Sequence, residues 1–124
     1  MTAEPSTWDH EPGSVGAVGI DVLTVDGEVD VATAPRLRQL LDDVIESGHG
    51  RVVVDLSTVG FLDSSGLGAL VWGLKKARAR GGWVRLVIGQ PRVRRVFELT
   101  GLDRSFAVYD TVDAARAPEP ARAV

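Results

Sequence analysis

Runs of β-branched and aliphatic residues alternate along this chain with stretches that carry the apolar spacing of a helix. We interpret the runs as strands at 20–25, 51–56 and 83–88, with a weaker fourth at 106–109. Strands that alternate with helices form one open sheet, because the connecting helices pack on its faces. The pattern predicts a single α/β domain with a mixed open sheet of four to five strands and about four helices.

The first helical stretch follows the first strand. Thr33 is a candidate N-cap, Pro35 suits the opening turn, and Gly48 is a natural stop. Five apolar side chains between them recur at i, i+3, i+4, i+7 and i+8, the spacing of one helix face: Leu37, Leu40, Leu41, Val44 and Ile45. This face is predicted to lie on the sheet.

Three further helices are predicted, over 65–80, 91–99 and 112–115. The one over 65–80 ends in a basic stretch before Gly81, which suits the negative end of the helix dipole. Its predicted core stripe consists of Leu67, Leu70, Val71 and Leu74.

Length and composition limit the chain to one ordinary domain. It has 124 residues, 44% of them hydrophobic and 25% charged, which is normal for a globular protein. Residues 1–15 and 116–124 are rich in Pro and polar residues, so we expect flexible tails around a domain at 16–115. No signal-peptide pattern or long apolar run is present, so the expected location is cytoplasmic, without membrane binding.

Charge is unevenly distributed along the chain. Residues 1–63 contain twelve acidic and three basic residues, whereas residues 64–97 contain eight basic and no acidic residues. The basic residues are scattered over several predicted elements, and the isoelectric point is about 5.3. We therefore interpret them as solvated faces and helix ends, and expect no direct binding to nucleic acid.

The most informative segment is the corner where a strand passes into the second predicted helix. Asp63, Ser64, Ser65 and Gly66 form this corner, and Leu67 begins the helical stripe. Unpaired N–H groups at a helix start stabilise negative charge, so a phosphate on Ser65 would be well placed. Alternatively, Asp63 or Ser64 only caps the helix, and the glycine allows close approach of the backbone to the sheet.

The corner and three other segments resemble the STAS-domain anti-sigma factor antagonists. The segments are 27–30, the helix that starts near Ala34, 61–68 and 96–102, and the resemblance covers roughly residues 19–115. It implies a STAS-like fold and a partner-switching function. In the unphosphorylated form, such a protein binds an anti-sigma factor that is also a serine kinase, and so releases a sigma factor. Phosphorylation with ATP inactivates it, and a serine phosphatase restores it.

The resemblance also implies roles for individual residues. Ser65 corresponds to the phosphate acceptor, Asp63 shapes the corner, and Asp30 lies on a neighbouring loop near the acceptor. The chain departs from the family pattern before Gly19, and at Trp72, where a small residue is expected.

Helix geometry adds a predicted partner-binding surface. At about 100° per residue, Ser65, Ala69, Trp72 and Lys76 share one face, opposite the core stripe. Tryptophan is frequent in binding hot spots, so Trp72 is a candidate anchor for a partner, unless another part of the chain covers it. The predicted partner-binding residues are therefore Ala69, Trp72 and Lys76 on this helix, together with Asp30 and Thr33 from the loop before the first helix.

Other functions have weaker support from the residues. The two histidines, His10 and His49, form no catalytic triad pattern, and the absence of cysteine leaves no thiolate metal site. No phosphate-binding loop of the nucleotide-binding type is present. We therefore expect a kinase substrate that is not an enzyme and has neither cofactor nor metal. An alternative is a STAS interaction module of a sensory complex or transporter accessory subunit, which docks without being phosphorylated.

Overall fold

The computed structural model describes residues 8–12 and 19–117, which form a five-stranded sheet with four α-helices. The strands lie in the order in which they occur along the chain: β1 (Asp9–Glu11), β2 (Ile20–Val29), β3 (Arg51–Leu62), β4 (Trp83–Ile88) and β5 (Ala107–Tyr109). All neighbours pair in parallel except β1, which is antiparallel to β2. The mixed α/β class predicted from the alternating pattern is confirmed.

The helices follow the predicted positions closely. They are α1 (Ala34–Ser47), α2 (Ser64–Ala79), α3 (Pro91–Thr100) and α4 (Val112–Arg116). Prolines occupy the first turns of α1 and α3, and glycines follow α1 and α3 at Gly48 and Gly101. These local signals explain why the sequence located the helix ends to within about a residue.

Two strands are longer than predicted, and their extra length positions the corner between β3 and α2. Gly27, which lies beyond the strand predicted at 20–25, has a φ of 83° inside β2, at an irregularity in the pairing with β3. A bulge at glycine lets a strand continue past a residue that would otherwise end it. β2 and β3 therefore reach Val29 and Leu62, which are register partners, and both strands end at the same edge of the sheet.

The core lies on both faces of this sheet. The face that carries α1, α2 and α3 holds the larger cluster, including Leu37, Leu70 and Phe97, all fully buried. The opposite face is covered by α4, whose Ala115 packs with a smaller cluster in the strands. Arg85 is buried on that face and donates hydrogen bonds to the carbonyl oxygens of Ala115 (2.9 Å) and Ala117 (2.8 Å).

The predicted tails are partly wrong. Asp9–Glu11, inside the expected tail at 1–15, forms strand β1, and the Trp8 indole N–H donates to the Asp26 carbonyl oxygen at 2.8 Å. Inside the expected tail at 116–124, Arg116 ends α4, and the carbonyl oxygen of the following Ala117 accepts a hydrogen bond from Arg85. Composition does not reveal these backbone hydrogen bonds, which are made by tertiary neighbours. Residues 1–7, 13–18 and 118–124 lie outside the described residues.

Two N-terminal truncations measure how much β1 and Trp8 contribute to stability. Removing residues 1–7 is expected to leave the free energy of unfolding unchanged. Removing residues 1–12 is expected to lower it by about 1–3 kcal/mol, because Trp8 packs against the main core and β1 hydrogen-bonds to β2. Urea unfolding of the two truncated chains measures the difference, and equal stabilities would show that β1 contributes nothing.

Candidate functional site

The corner between β3 and α2 is organised by Asp63. Its carboxylate accepts hydrogen bonds from the backbone N–H groups of Ser65 (2.9 Å) and Gly66 (3.2 Å), and so caps α2. Its own N–H donates to the Val29 carbonyl oxygen at 3.1 Å, which ties the corner to β2. Of the two capping candidates, Asp63 is therefore the cap. It occupies N–H groups that were expected to be available to a phosphate on Ser65.

Gly66 allows α2 to approach the ends of the strands. A Cβ at this position would lie 2.5 Å from a methyl carbon of Leu62 and 2.7 Å from one of Val29. The same strand ends also carry Asp63, after Leu62, and Asp30, after Val29. Gly68 differs from Gly66, since a Cβ there would meet nothing within 4 Å.

The neighbouring loop is organised by Asp30 in the same way. Its carboxylate accepts from the N–H groups of Ala32 (3.0 Å) and Thr33 (3.1 Å), and its carbonyl oxygen accepts from Ala34 N–H at 2.7 Å. The Thr33 hydroxyl accepts from Asp30 N–H at 2.9 Å and lies 3.0 Å from the Glu28 carbonyl oxygen. Thr33 precedes α1, as expected, but its side chain closes the loop and does not cap the helix.

The two acidic loops lie side by side. Asp30 follows Val29 and Asp63 follows Leu62, and Val29 and Leu62 are partners in the parallel pairing of β2 and β3. The resemblance implied that Asp30 lies near Ser65, and the sheet register brings the loops that carry these two residues to the same edge.

An open groove of about 420 Å³ runs between α1 and α2 beside this corner. Ala34 and Ala69 form its buried floor, and Val31, with 73% of its surface exposed, stands at its rim. The remaining lining residues are Pro35, Arg38, Ser65 and Gly68. Ser65, partly buried, opens into the groove, whereas the exposed Ser64 is not among the lining residues.

Trp72 and Lys76 lie farther along α2, against α1. The guanidinium carbon of Arg38 is 4.5 Å from the centre of the Trp72 ring, and Lys76 Nζ is 5.3 Å from it. Lys76 also pairs with Asp42 and, at 2.6 Å, with Glu46. The hydrogen bond from Lys76 lowers the pKa of Glu46, and the hydrogen bonds to Asp42 and Glu46 raise the pKa of Lys76.

The predicted outward face of α2 is therefore only partly correct. Ser65 opens into the groove, but Ala69 has 5% of its surface exposed and Trp72 is partly buried. The reason is that α1 packs on this face. Gly73 permits the contact, since a Cβ there would lie 2.9 Å from a Leu41 methyl carbon.

Sequence reasoning missed four residues of the groove: Val31, Pro35, Arg38 and Gly68. Val31 had a usable signal, because it is an apolar residue directly after Asp30 in a loop. Arg38 had none, since a basic residue on an exposed helix face is ordinary.

Trp72→Ala is expected to lower the free energy of unfolding by about 1–3 kcal/mol, less than for a fully buried tryptophan, because the ring is only partly covered. Urea unfolding measures this loss. Leu99→Ala is the matched control, since Leu99 is 75% exposed and its truncation should change stability by less than about 0.5 kcal/mol. Equal effects of the two changes would mean that α1 does not cover Trp72.

The two histidines lie on different elements of the fold. His10 Nε2 lies 3.4 Å from Asp21 Oδ1, and His49 is exposed in the turn after α1. Within 8–12 and 19–117, no three His, Cys, Asp or Glu side chains are grouped as metal ligands would be. In the same ranges, no helix has both the length and the apolar character needed to cross a bilayer.

Comparison with known proteins identifies relatives over most of the chain. The profile of the STAS domain family matches residues 14–115. The anti-sigma-B factor antagonist of Staphylococcus aureus is 36% identical over 80 residues, which cover 64% of this chain and 74% of that protein. The anti-sigma F factor antagonist of Paenibacillus polymyxa is 29% identical over 93 residues, covering 74% and 80%. The crystal structure of an anti-sigma factor antagonist from Mycobacterium paratuberculosis has a TM-score of 0.77 and 36% identity, covering 92% of this chain and 95% of that one.

Proposed function

This chain belongs to the STAS domain family, and we propose that it is an anti-sigma factor antagonist switched by phosphorylation of Ser65. Unphosphorylated, it binds an anti-sigma factor and so frees a sigma factor for transcription. The relatives named as anti-sigma factor antagonists support this function. The observation that carries the choice of residue is the opening of Ser65 into the groove between α1 and α2.

The groove has the character of a docking surface for a protein. Its floor is apolar, its rim carries the exposed Val31, and Arg38 is the charged residue among those described as lining it. Apolar centres with a few polar groups are typical of protein interfaces. A partner seated here would cover Ser65 directly.

The phosphorylation step uses chemistry supplied by the partner. The Ser65 oxygen attacks the γ-phosphorus of ATP bound by the kinase, the new O–P bond forms, and the bond to the ADP oxygen breaks. The hydroxyl proton passes to a base of the kinase. A serine phosphatase reverses the modification with water and releases inorganic phosphate. In this cycle the chain is the substrate of both enzymes. Because the cycle consumes ATP, the cycle operates in the cytoplasm.

The charge of the phosphate weakens binding of the partner but does not destabilise the fold. A phosphoserine carries about −1.5 to −2 charges at neutral pH, and it would stand beside the carboxylates of Asp63 and Asp30. A partner that covers this site must remove water from three negative groups. The partly exposed position of Ser65 lets solvent screen the same charge in the free protein.

Intact-mass measurement tests the proposal. The chain is incubated with ATP, Mg²⁺ and the anti-sigma factor kinase encoded in the same genome. We expect addition of one phosphate in the parent and in Ser64→Ala, and none in Ser65→Ala. Phosphate on Ser65→Ala but not on Ser64→Ala would identify Ser64 as the acceptor. Binding without any phosphate transfer would make the chain a docking module, as in a sensory complex or a transporter assembly.

A further inference from the structure

Arg38 is a cation held in the groove by an aromatic ring. It is exposed on α1, and its guanidinium lies over Trp72. In the described part of the chain, no carboxylate lies within ion-pair distance of it. Its basic neighbours differ in this respect, because Lys76 pairs with Asp42 and Glu46, and Arg80 pairs with Glu46. Arg38 is therefore available to a new anion.

The start of α2 and the loop that precedes α1 already hold anions of their own. The Asp63 carboxylate takes the N–H groups of Ser65 and Gly66, and the Asp30 carboxylate takes those of Ala32 and Thr33. Backbone N–H groups at a helix start are the usual receptor for a phosphate. Here a phosphate on Ser65 meets carboxylates in those positions, so its counter-charge must come from a side chain.

We propose that the phosphate of phosphorylated Ser65 draws Arg38 away from Trp72 and binds it across the groove. This inference rests on the proposed phosphorylation of Ser65. Both side chains line the same groove. Among the described residues that line it, Arg38 is the one that carries a charge. A guanidinium binds a phosphate through two parallel hydrogen bonds, which are stronger than its contact with a partly exposed ring.

In this pairing, the phosphate and Arg38 together block the groove from within the same chain. Arg38 moves from the wall of the groove into its opening, between Val31 and Gly68, and the apolar floor is covered by the chain itself. Phosphorylation then excludes the partner in two ways, by adding charge and by closing the groove. Trp72 loses the Arg38 guanidinium at the same time but keeps Lys76, and this change around its ring provides a signal distant from the phosphate.

The full chain with phosphoserine incorporated at position 65 during translation tests the pairing without a kinase. A ³¹P NMR pH titration measures the second pKa of the phosphate, and a neighbouring guanidinium lowers it by favouring the doubly charged form. We expect the pKa in the parent to be at least about 0.3 unit below that in Arg38→Gln, with Arg38→Lys between them. Arg95→Gln removes an exposed charge from α3 and should match the parent.

The Trp72 indole N–H signal in ¹⁵N NMR spectra supplies the second measurement. We expect it to shift on phosphorylation in the parent and in Arg95→Gln, but not in Arg38→Gln. Equal phosphate pKa values in the parent and Arg38→Gln, or an equal Trp72 shift in both, would overturn the pairing. Because the phosphate is placed without a kinase, these results are separate from the intact-mass experiment, whose failure would overturn only the proposed function.

Discussion

Phosphorylation of Ser65 is expected to weaken binding to the anti-sigma factor by about a hundredfold or more, which corresponds to about 3 kcal/mol. The cause is the burial of a doubly charged group beside Asp63, in a groove that the partner must cover. The domain itself should melt at nearly the same temperature, because the site is open to solvent in the free protein. Isothermal titration calorimetry and thermal unfolding measure the two quantities.

Substitutions at the same position give a matched series. Ser65→Asp should weaken binding by a smaller factor than the phosphate, because a carboxylate carries less charge and is shorter. Ser65→Ala should bind at parental affinity and remain bound in the presence of ATP and the kinase. Ser64→Asp adds the same charge one residue away, outside the groove lining, and should bind more tightly than Ser65→Asp. If the two aspartate variants bind equally, general charge at the corner, and not the groove, sets the affinity.

Gly66→Ala and Gly68→Ala are expected to change stability in opposite directions. The methyl group at Gly66 would overlap Leu62 and Val29, which are both buried, so we expect a loss of about 1–3 kcal/mol in the free energy of unfolding. The methyl group at Gly68 has open space, so the better helix propensity of alanine should raise the free energy of unfolding by about 0.5–1 kcal/mol.

The two glycine variants also test whether the partner binds in the groove. Gly68 lines the groove, so a methyl group there should weaken the partner's binding although the domain is more stable. Urea unfolding and calorimetry on each variant measure stability and binding separately. A stabilised Gly68→Ala variant with unchanged affinity would show that the partner does not enter the groove. A Gly66→Ala variant as stable as the parent would mean that the strand ends can move away from α2.

The capping residue and helix limits could be predicted because their causes are local. Asp63 was one of two capping candidates, and its carboxylate accepts the hydrogen bonds of a cap. Pro91 begins α3 as expected, since proline suits a first helical turn. The strand at 83–88 has its predicted limits, because glycines precede and follow it.

Strand length was less predictable, because glycine acts differently in different surroundings. Gly27 resembles a turn in sequence, but the pairing of β2 with β3 carries the strand through it. β1 was missed because its residues are polar and its stability comes from β2 and from the Trp8 contact with Asp26. In both cases the deciding hydrogen bonds come from residues distant in sequence.

The order of the strands and helices after β1, the two capping candidates Asp63 and Ser64, and the position of Ser65 at a helix start follow from local sequence, because periodicity and capping depend on residues within a few positions. Which face of α2 is open depends instead on tertiary packing. α1 packs across that face, with Leu41 against Gly73 and Asp42 paired with Lys76, so Trp72 is partly covered and the groove opens at Ser65. Helical periodicity locates a face but not its neighbour, and the side chain of Arg38 reaches this site only because the two helices meet there.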